Sequence, residues 1–311
     1  MVIYKILSFQ IGSSLSYRGD SLPSLNIAHI EQWPGLTRNP FSFRSGKHLL
    51  RGYKYKSSLV SAPKAVVLLF HGISTGHYGY MNFIARFAKE GYLIYAFDEK
   101  GSLLSEGNTI GNLAEAAKAQ KPFFEFLDKE NDIVGLPIYS VGHSWGGYAS
   151  LCTLRFPQVS KVVSIAGFDS PNAIYKDTSP IVKFFAWETW LYQWFHYGKN
   201  GNVSGLKLMK ETDKPVLYMQ GDQDKVVNFN TSGKKFREVL EDKPNISFYI
   251  KEGAGHNPYW SKEVEKYYSS LLHDPETVSS YNRDLDRKID YDKLFSLDEE
   301  FMKRIIDFLE A

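Results

Sequence analysis

Apolar residues along this chain switch repeatedly between two periods. Ala65 to Phe70 is a continuous apolar run closed by His71-Gly72, the pattern of a strand buried on both faces. Met81 to Glu90 then carries Phe83, Ile84, Phe87 and Ala88 at helical spacing and stops at Gly91. Strand character returns at Tyr92 to Phe97, and a helix is predicted near Asn112 to Leu127. The alternation continues through a strand at Leu136 to Val141, a helix at Tyr148 to Leu154 and a strand at Lys161 to Ala166. It extends through a strand at Pro215 to Met219, a helix near Ser232 to Leu240 and a strand at Ile246 to Ile250. Upstream, Phe41 to Tyr55 splits into two strand-like halves about Ser45-Gly46, which predicts an opening hairpin. Strands alternating with helices imply parallel β-α-β units, hence an α/β fold with a mostly parallel central sheet and helices on both faces.

Three segments fall outside this rhythm and set the expected organisation. Residues 1–40 form an N-terminal extension with Pro23, Pro34 and Pro40 and no clear period. Residues 41–168 are the first part of the core, and 169–213 are a short helical cap between two core strands. Within the cap, Ser179-Pro180 reads as a helix start and Gly198 as its stop, predicting one helix of about five turns. Its apolar positions run nearly all the way round, so one side should pack on the core and another face a ligand channel, a partner or a membrane surface. Residues 214–256 complete the core, 257–297 are an insertion, and 298–311 are the final core helix. Ser296 and Glu299 make a capping-box pattern before that helix, whose stripe is Leu297, Phe301, Ile305, Phe308 and Leu309.

The charge balance narrows the partners. Over 311 residues, 37 Lys and Arg against 35 Asp and Glu leave a formal charge of +2, too weak a field to favour nucleic acid. The first 60 residues hold eight Lys and Arg against two Asp and Glu, an excess best read as a solvated face. Cys152 is the single cysteine, so neither an intrachain disulfide nor a cysteine metal site is available. The first residues lack a long apolar stretch with a cleavage site, and no stretch approaches the roughly twenty apolar residues of a membrane span. The expectation is a soluble cytoplasmic protein.

Candidate chemistry centres on Gly142-His143-Ser144-Trp145-Gly146-Gly147, a serine among glycines between a predicted strand and a predicted helix. A sharp strand-to-helix turn needs small neighbours and lifts the serine hydroxyl above the sheet. A serine nucleophile also needs a base, and the base an acid that orients it. In this architecture the chain order is serine, acid, histidine, with the partners in loops after later strands. Gly221-Asp222-Gln223-Asp224 and Gly253-Ala254-Gly255-His256 follow the next two strands. Asp222 sits nearer the strand end, where it can tie down the turn, so Asp224 is favoured as the acid and His256 as the base. The backbone N–H groups of Trp145 and Ile73 are the candidate oxyanion donors. His71, His77 and His143 should lie nearby, but no metal-binding spacing is present and neither a metal nor a cofactor is expected.

With these residues in place the chain resembles the α/β-hydrolase superfamily. His71-Gly72-Ile73-Ser74-Thr75-Gly76-His77-Tyr78-Gly79-Tyr80 is similar to a loop of the monoglyceride lipases and lysophospholipases, and the serine aminopeptidases share these motifs. Asp98-Glu99-Lys100-Gly101-Ser102-Leu103-Leu104-Ser105-Glu106-Gly107 is similar to the family's Asp-x-Arg-Gly-x-Gly-x-Ser-x-Gly stretch, with Lys100 in place of arginine and Leu103 in place of glycine. The resemblance covers about residues 41–256 and the last helix. It implies an α/β-hydrolase fold, a small-molecule ester substrate, an acyl-enzyme on Ser144, and an acyl pocket beneath an aromatic cap. His77, Phe184, Trp187, Trp190 and Trp194 are the candidate substrate-lining residues. Two other readings stand beside this one. A peptidase would need acidic residues to hold an amine, and Asp177, Glu188, Glu211 and Asp213 are present but scattered. A non-catalytic ligand-binding protein of the same fold would be expected to lack a member of the set. The cap helix also leaves a narrow polar stripe of Lys183, Glu188, Gln193 and His196, compatible with peripheral membrane contact. The pattern says nothing of oligomeric state.

Overall fold

A computed structural model describes residues 25, 28, 30–73, 75–178, 183–275, 277–278 and 288–311. Eight strands form one sheet: β1 Leu36–Ser45, β2 His48–Ser57, β3 Val66–Phe70, β4 Leu93–Phe97, β5 Ile138–His143, β6 Val159–Ile165, β7 Val216–Gly221 and β8 Ile246–Lys251. Their spatial order is β1-β2-β4-β3-β5-β6-β7-β8. The pairs β1/β2 and β2/β4 are antiparallel and the rest are parallel. The opening hairpin is longer than the apolar pattern suggests. Leu36 already pairs with Ser57, so the sheet begins inside the segment assigned to the N-terminal extension.

The helices are α1 Met81–Lys89, α2 Glu115–Leu127, α3 Trp145–Cys152, α4 Pro171–Thr178, α5 Ala186–Tyr197, α6 Gly205–Glu211, α7 Gly233–Leu240, α8 Lys262–Leu272, α9 Tyr291–Leu294 and α10 Glu299–Glu310. Because side chains alternate along a strand, β3 splits its apolar residues between two cores. Val66, Leu68 and Phe70 pack with residues of α2, α3 and α7 on one face. Val67 and Leu69 pack with residues of α1 and α10 on the other. No helix of the described residues is long and apolar enough to cross a membrane.

Two helix expectations change. The cap comprises α4, α5 and α6, and the proposed start at Ser179-Pro180 lies outside the described residues. Gly198, at φ 54°, ends α5. At the last helix the cap is Asp298, whose carboxylate accepts the Phe301 N–H at 2.8 Å. Ser296 instead turns its hydroxyl to the Lys293 carbonyl at 2.9 Å. The short carboxylate one residue before the helix reaches the first-turn N–H groups and carries a charge that suits the positive helix end. The insertion, unassigned from its pattern, holds α8, capped by Ser261, and α9, capped by Asp290.

The tightest packing lies at the turn from β5 to α3. A Cβ on Gly146 would stand 2.0 Å from the Phe70 carbonyl oxygen, and one on Gly142 would stand 2.0 Å from that of Gly146. Both obstacles are backbone, so neither can swing aside. Gly146→Ala is therefore expected to lower unfolding stability by about 2 kcal/mol or more. Urea unfolding reads this directly, and an unchanged midpoint would show that β3 and α3 can separate at little cost.

Candidate active site

Ser144 stands between β5 and α3 with φ 59° and ψ −117°, a backbone conformation seldom adopted by a residue with a Cβ. Its N–H donates to the Ile165 carbonyl at 2.8 Å, and its carbonyl accepts the Tyr148 N–H at 3.0 Å. The chain on both sides thus holds the turn. The Trp145 N–H, at the first position of α3, has no acceptor within the helix and stands beside the serine. The Trp145 side chain points away into the core and donates Nε1–H to the Leu113 carbonyl at 2.8 Å.

The loops after β7 and β8 meet this turn. His256 Nε2 lies 3.0 Å from Ser144 Oγ, and His256 Nδ1 lies 2.9 Å from Asp224 Oδ2. A carboxylate only accepts, so Nδ1 carries the proton and Nε2 is free to accept from the serine hydroxyl. Asp224 also accepts Val226 N–H at 2.9 Å, Val227 N–H at 3.0 Å and Gln220 Nε2–H at 3.0 Å. Burial alone would raise its carboxyl, but the bond to and charge of His256, with these donors, hold it below its ordinary value. Asp222 has a different place. Its Oδ1 accepts the Gly253 N–H at 2.7 Å and ties the β7 loop to the β8 loop.

A second chain of bonds, which the sequence reading did not find, joins the His256 loop to the loop after β3. The Gly72 N–H donates to Tyr80 Oη at 3.0 Å, and Tyr80 Oη–H donates to His143 Nδ1 at 2.8 Å. His143 Nε2–H donates to the His256 carbonyl at 2.8 Å. Every donor has an acceptor only if His143 is neutral, and burial followed by the neighbouring His256 pushes its imidazole down to about 3. His143 thus serves the fold of the site as a fixed, uncharged link. The Gly72-Ile73 loop it supports lines the cleft at Ser144, where Ile73 can present its N–H.

Other candidates stand elsewhere. His77 is buried, with its Nδ1 2.7 Å from Asp98 Oδ1 and its ring against Tyr53, Tyr55 and Tyr78, and it does not line the cleft. The cap aromatics also differ from expectation: Phe184, Trp187, Trp190 and Trp194 are 75%, 59%, 45% and 53% exposed, and none lines the cleft. The reason is an inverted helix. Ala186, Thr189 and Gln193 form the buried stripe of α5, with Thr189 bonded to Asn172 of α4 and Gln193 against Gly201. This small and polar stripe lets backbones approach closely, so the bulky rings are left outside. In the Asp98 loop, Leu103, where the similar family stretch has glycine, adopts a positive φ of 34°, and Lys100 Nζ reaches Glu115 Oε1 at 3.2 Å.

The cleft beside Ser144 has a volume of about 450 Å³. It is lined by Gly72, Ile73, Tyr80, His143 and His256, and also by Leu25, Tyr259, Trp260, Tyr268, Leu294 and Phe295. No Asp, Glu, Lys or Arg is among its described lining residues.

A family model described as serine aminopeptidase, S33, matches residues 61–205, which span β3, the elbow and most of the cap. The structure is similar to that of an esterase from Pyrococcus furiosus, with TM-score 0.60 and 18% identity over 91% of this chain and 95% of that one. The chain has the α/β-hydrolase fold. An acylaminoacyl peptidase from Pyrococcus horikoshii is also similar in structure, with TM-score 0.54 and 20% identity over 73% of this chain and 38% of the peptidase. None of the curated proteins compared matches the chain.

One acid near the site is out of place energetically. Glu99, whose N–H donates to His71 Nε2 at 2.9 Å, is 3% exposed, and neither carboxyl oxygen has a hydrogen-bond partner among the described residues. Burial, reinforced by Glu115 and Asp98, raises its acid from 4.5 to about 8. Folding therefore takes up a proton between these values, and stability present below pH 4.5 is lost as pH rises through about 8. Glu99→Gln should remove this loss, gaining on wild type by on the order of a few kcal/mol between pH 5 and 8. Unfolding free energies measured across that range check it; parallel curves for the two proteins would contradict it.

Proposed function

We propose that this α/β hydrolase is a serine hydrolase of carboxylic esters, working through an acyl-enzyme on Ser144. The observation that carries this reading is the continuous relay Ser144 Oγ, His256, Asp224 opening on a cleft without a charged described lining residue. His256 accepts the hydroxyl proton as Ser144 Oγ attacks the ester carbonyl, and Asp224 stabilises the imidazolium without taking its proton. Backbone N–H groups of Ile73 and Trp145 stabilise the oxyanion, each such donor being worth about a hundredfold to a thousandfold in rate. His256 then protonates the leaving alcohol, and water, deprotonated by the same ring, releases the acid.

The absence of a carboxylate from the described cleft lining favours esters over the free amino end of a peptide. An ammonium group in such a cleft would lose hydration with no partner. Asp177, Glu188, Glu211 and Asp213 do not line the cleft.

Turnover of p-nitrophenyl acyl esters against aminoacyl p-nitroanilides tests the reading. Esters should be cleaved, and Ser144→Ala should abolish the activity; anilides cleaved faster than esters would replace it with the peptidase. Asp224→Asn should lower kcat by about 10⁴-fold through the wrong histidine tautomer, whereas Asp222→Asn should cost far less. Equal losses would reject the assignment of the acid.

A further inference from the structure

Part of the cleft wall is built by the two segments that follow no family pattern. Leu25 of the N-terminal segment packs with Leu271, Ile289, Tyr291 and Leu294 in a small apolar cluster of its own, apart from the two cores that cover the sheet. Leu25 and Leu294 also line the cleft, so the cluster presents one edge to Ser144. Trp260 packs at a tilt against Tyr268 of α8 with ring centres 4.9 Å apart, and Phe295 meets Trp33 edge-on at 6.2 Å. These contacts fix three aromatic rings at the cleft wall before any ligand arrives. Their preorganisation lowers the ordering cost of binding an apolar group.

Which half of an ester this wall meets follows from proton transfer. The ring that accepts the serine proton must return it to the departing oxygen, so the leaving alcohol stands at His256 Nε2. The chain running on from His256 supplies Asn257, Tyr259 and Trp260 to the cleft, with Tyr268, Leu294 and Phe295 beyond them. We propose that Asn257, Tyr259, Trp260, Tyr268, Leu294 and Phe295, which follow His256, form the alcohol subsite and take an uncharged aromatic or bulky apolar alcohol group. This rests on the esterase reading given above. In the step it serves, the bond from Ser144 Oγ to the carbonyl carbon forms and the bond to the alcohol oxygen breaks. The serine proton leaves with the alcohol, and one water then divides between the freed acid and the restored serine. The volume of about 450 Å³ falls within the roughly 300–1,000 Å³ of small-molecule sites. The exposed rings of α5 have no part in it.

Two ester series separate the halves of the substrate: acetates of methanol, benzyl alcohol and 2-naphthylmethanol, and benzyl esters of acetic, hexanoic and decanoic acids. Trp260→Ala and Phe295→Ala should each lower the ratio of kcat/KM for benzyl over methyl acetate by roughly tenfold. The ratio of hexanoate to acetate should keep its wild-type value. Ratios taken within one variant cancel any loss of folded enzyme, and Tyr268→Ala, on a separate element, provides a second reading of the same wall. A shift along the acid series, or no shift in either, overturns the subsite while wild-type turnover leaves the esterase reading standing. A wild-type enzyme inert to every ester overturns both.

Discussion

Ser144 keeps φ at 59° because the chain around it is clamped by backbone. Gly142 and Gly146 bring β3, β5 and α3 closer than any Cβ would allow, and the Ile165 carbonyl of β6 holds the Ser144 N–H. Without that approach the hydroxyl would lie among the strand ends instead of above them. The Trp145 N–H would also lose its place beside it. The same packing fixes His143, one residue earlier, in the core. From there its two ring nitrogens reach Tyr80 and the His256 carbonyl. One strained turn therefore positions the candidate nucleophile, a candidate oxyanion donor and the link that holds the other two loops in register.

Local signals reveal this architecture well where one interaction dominates. The run at Ala65 to Phe70 is apolar because a parallel strand covered on both faces needs to be, and β3 is buried throughout. Glycines at the elbow mark a close approach that no other residue tolerates. Asp222 and Asp224 compete in sequence for the acid's place, with Asp224 favoured because Asp222 lies nearer the strand end, and the two side chains take different partners. What stayed hidden depended on a choice among partners far along the chain. The rings of α5 suggested a pocket, but Thr189 and Gln193 pack inward because Asn172 and Gly201 offer close contact there. A hydrophobic count cannot see that competition. Nor could it find Tyr80, whose hydroxyl gains meaning only when Gly72 and His143 approach it.

The insertion presents the same lesson at larger scale. Of the residues that form its cluster, Leu271 lies on α8 and Ile289, Tyr291 and Leu294 follow far along the chain, so spacing does not link them. They are sufficient because Leu25 joins them from the opposite end of the chain. The resulting lobe ties to the core through Lys251, whose ammonium donates to the carbonyls of Pro258 and Trp260 and to Asp298 at 2.7, 2.9 and 2.9 Å. One cation at the end of β8 thereby anchors the chain that leaves His256 to the cap of the last helix. The wall of the cleft is thus held by the strand that delivers the histidine.

Reaction with a fluorophosphonate tests most directly whether the Ser144 hydroxyl is activated by His256. Intact-mass measurement should show one phosphonyl group per chain, located by digestion on the peptide containing Ser144 and absent from Ser144→Ala. Wild-type protein that stays unlabelled, or a label that persists in Ser144→Ala, would contradict it.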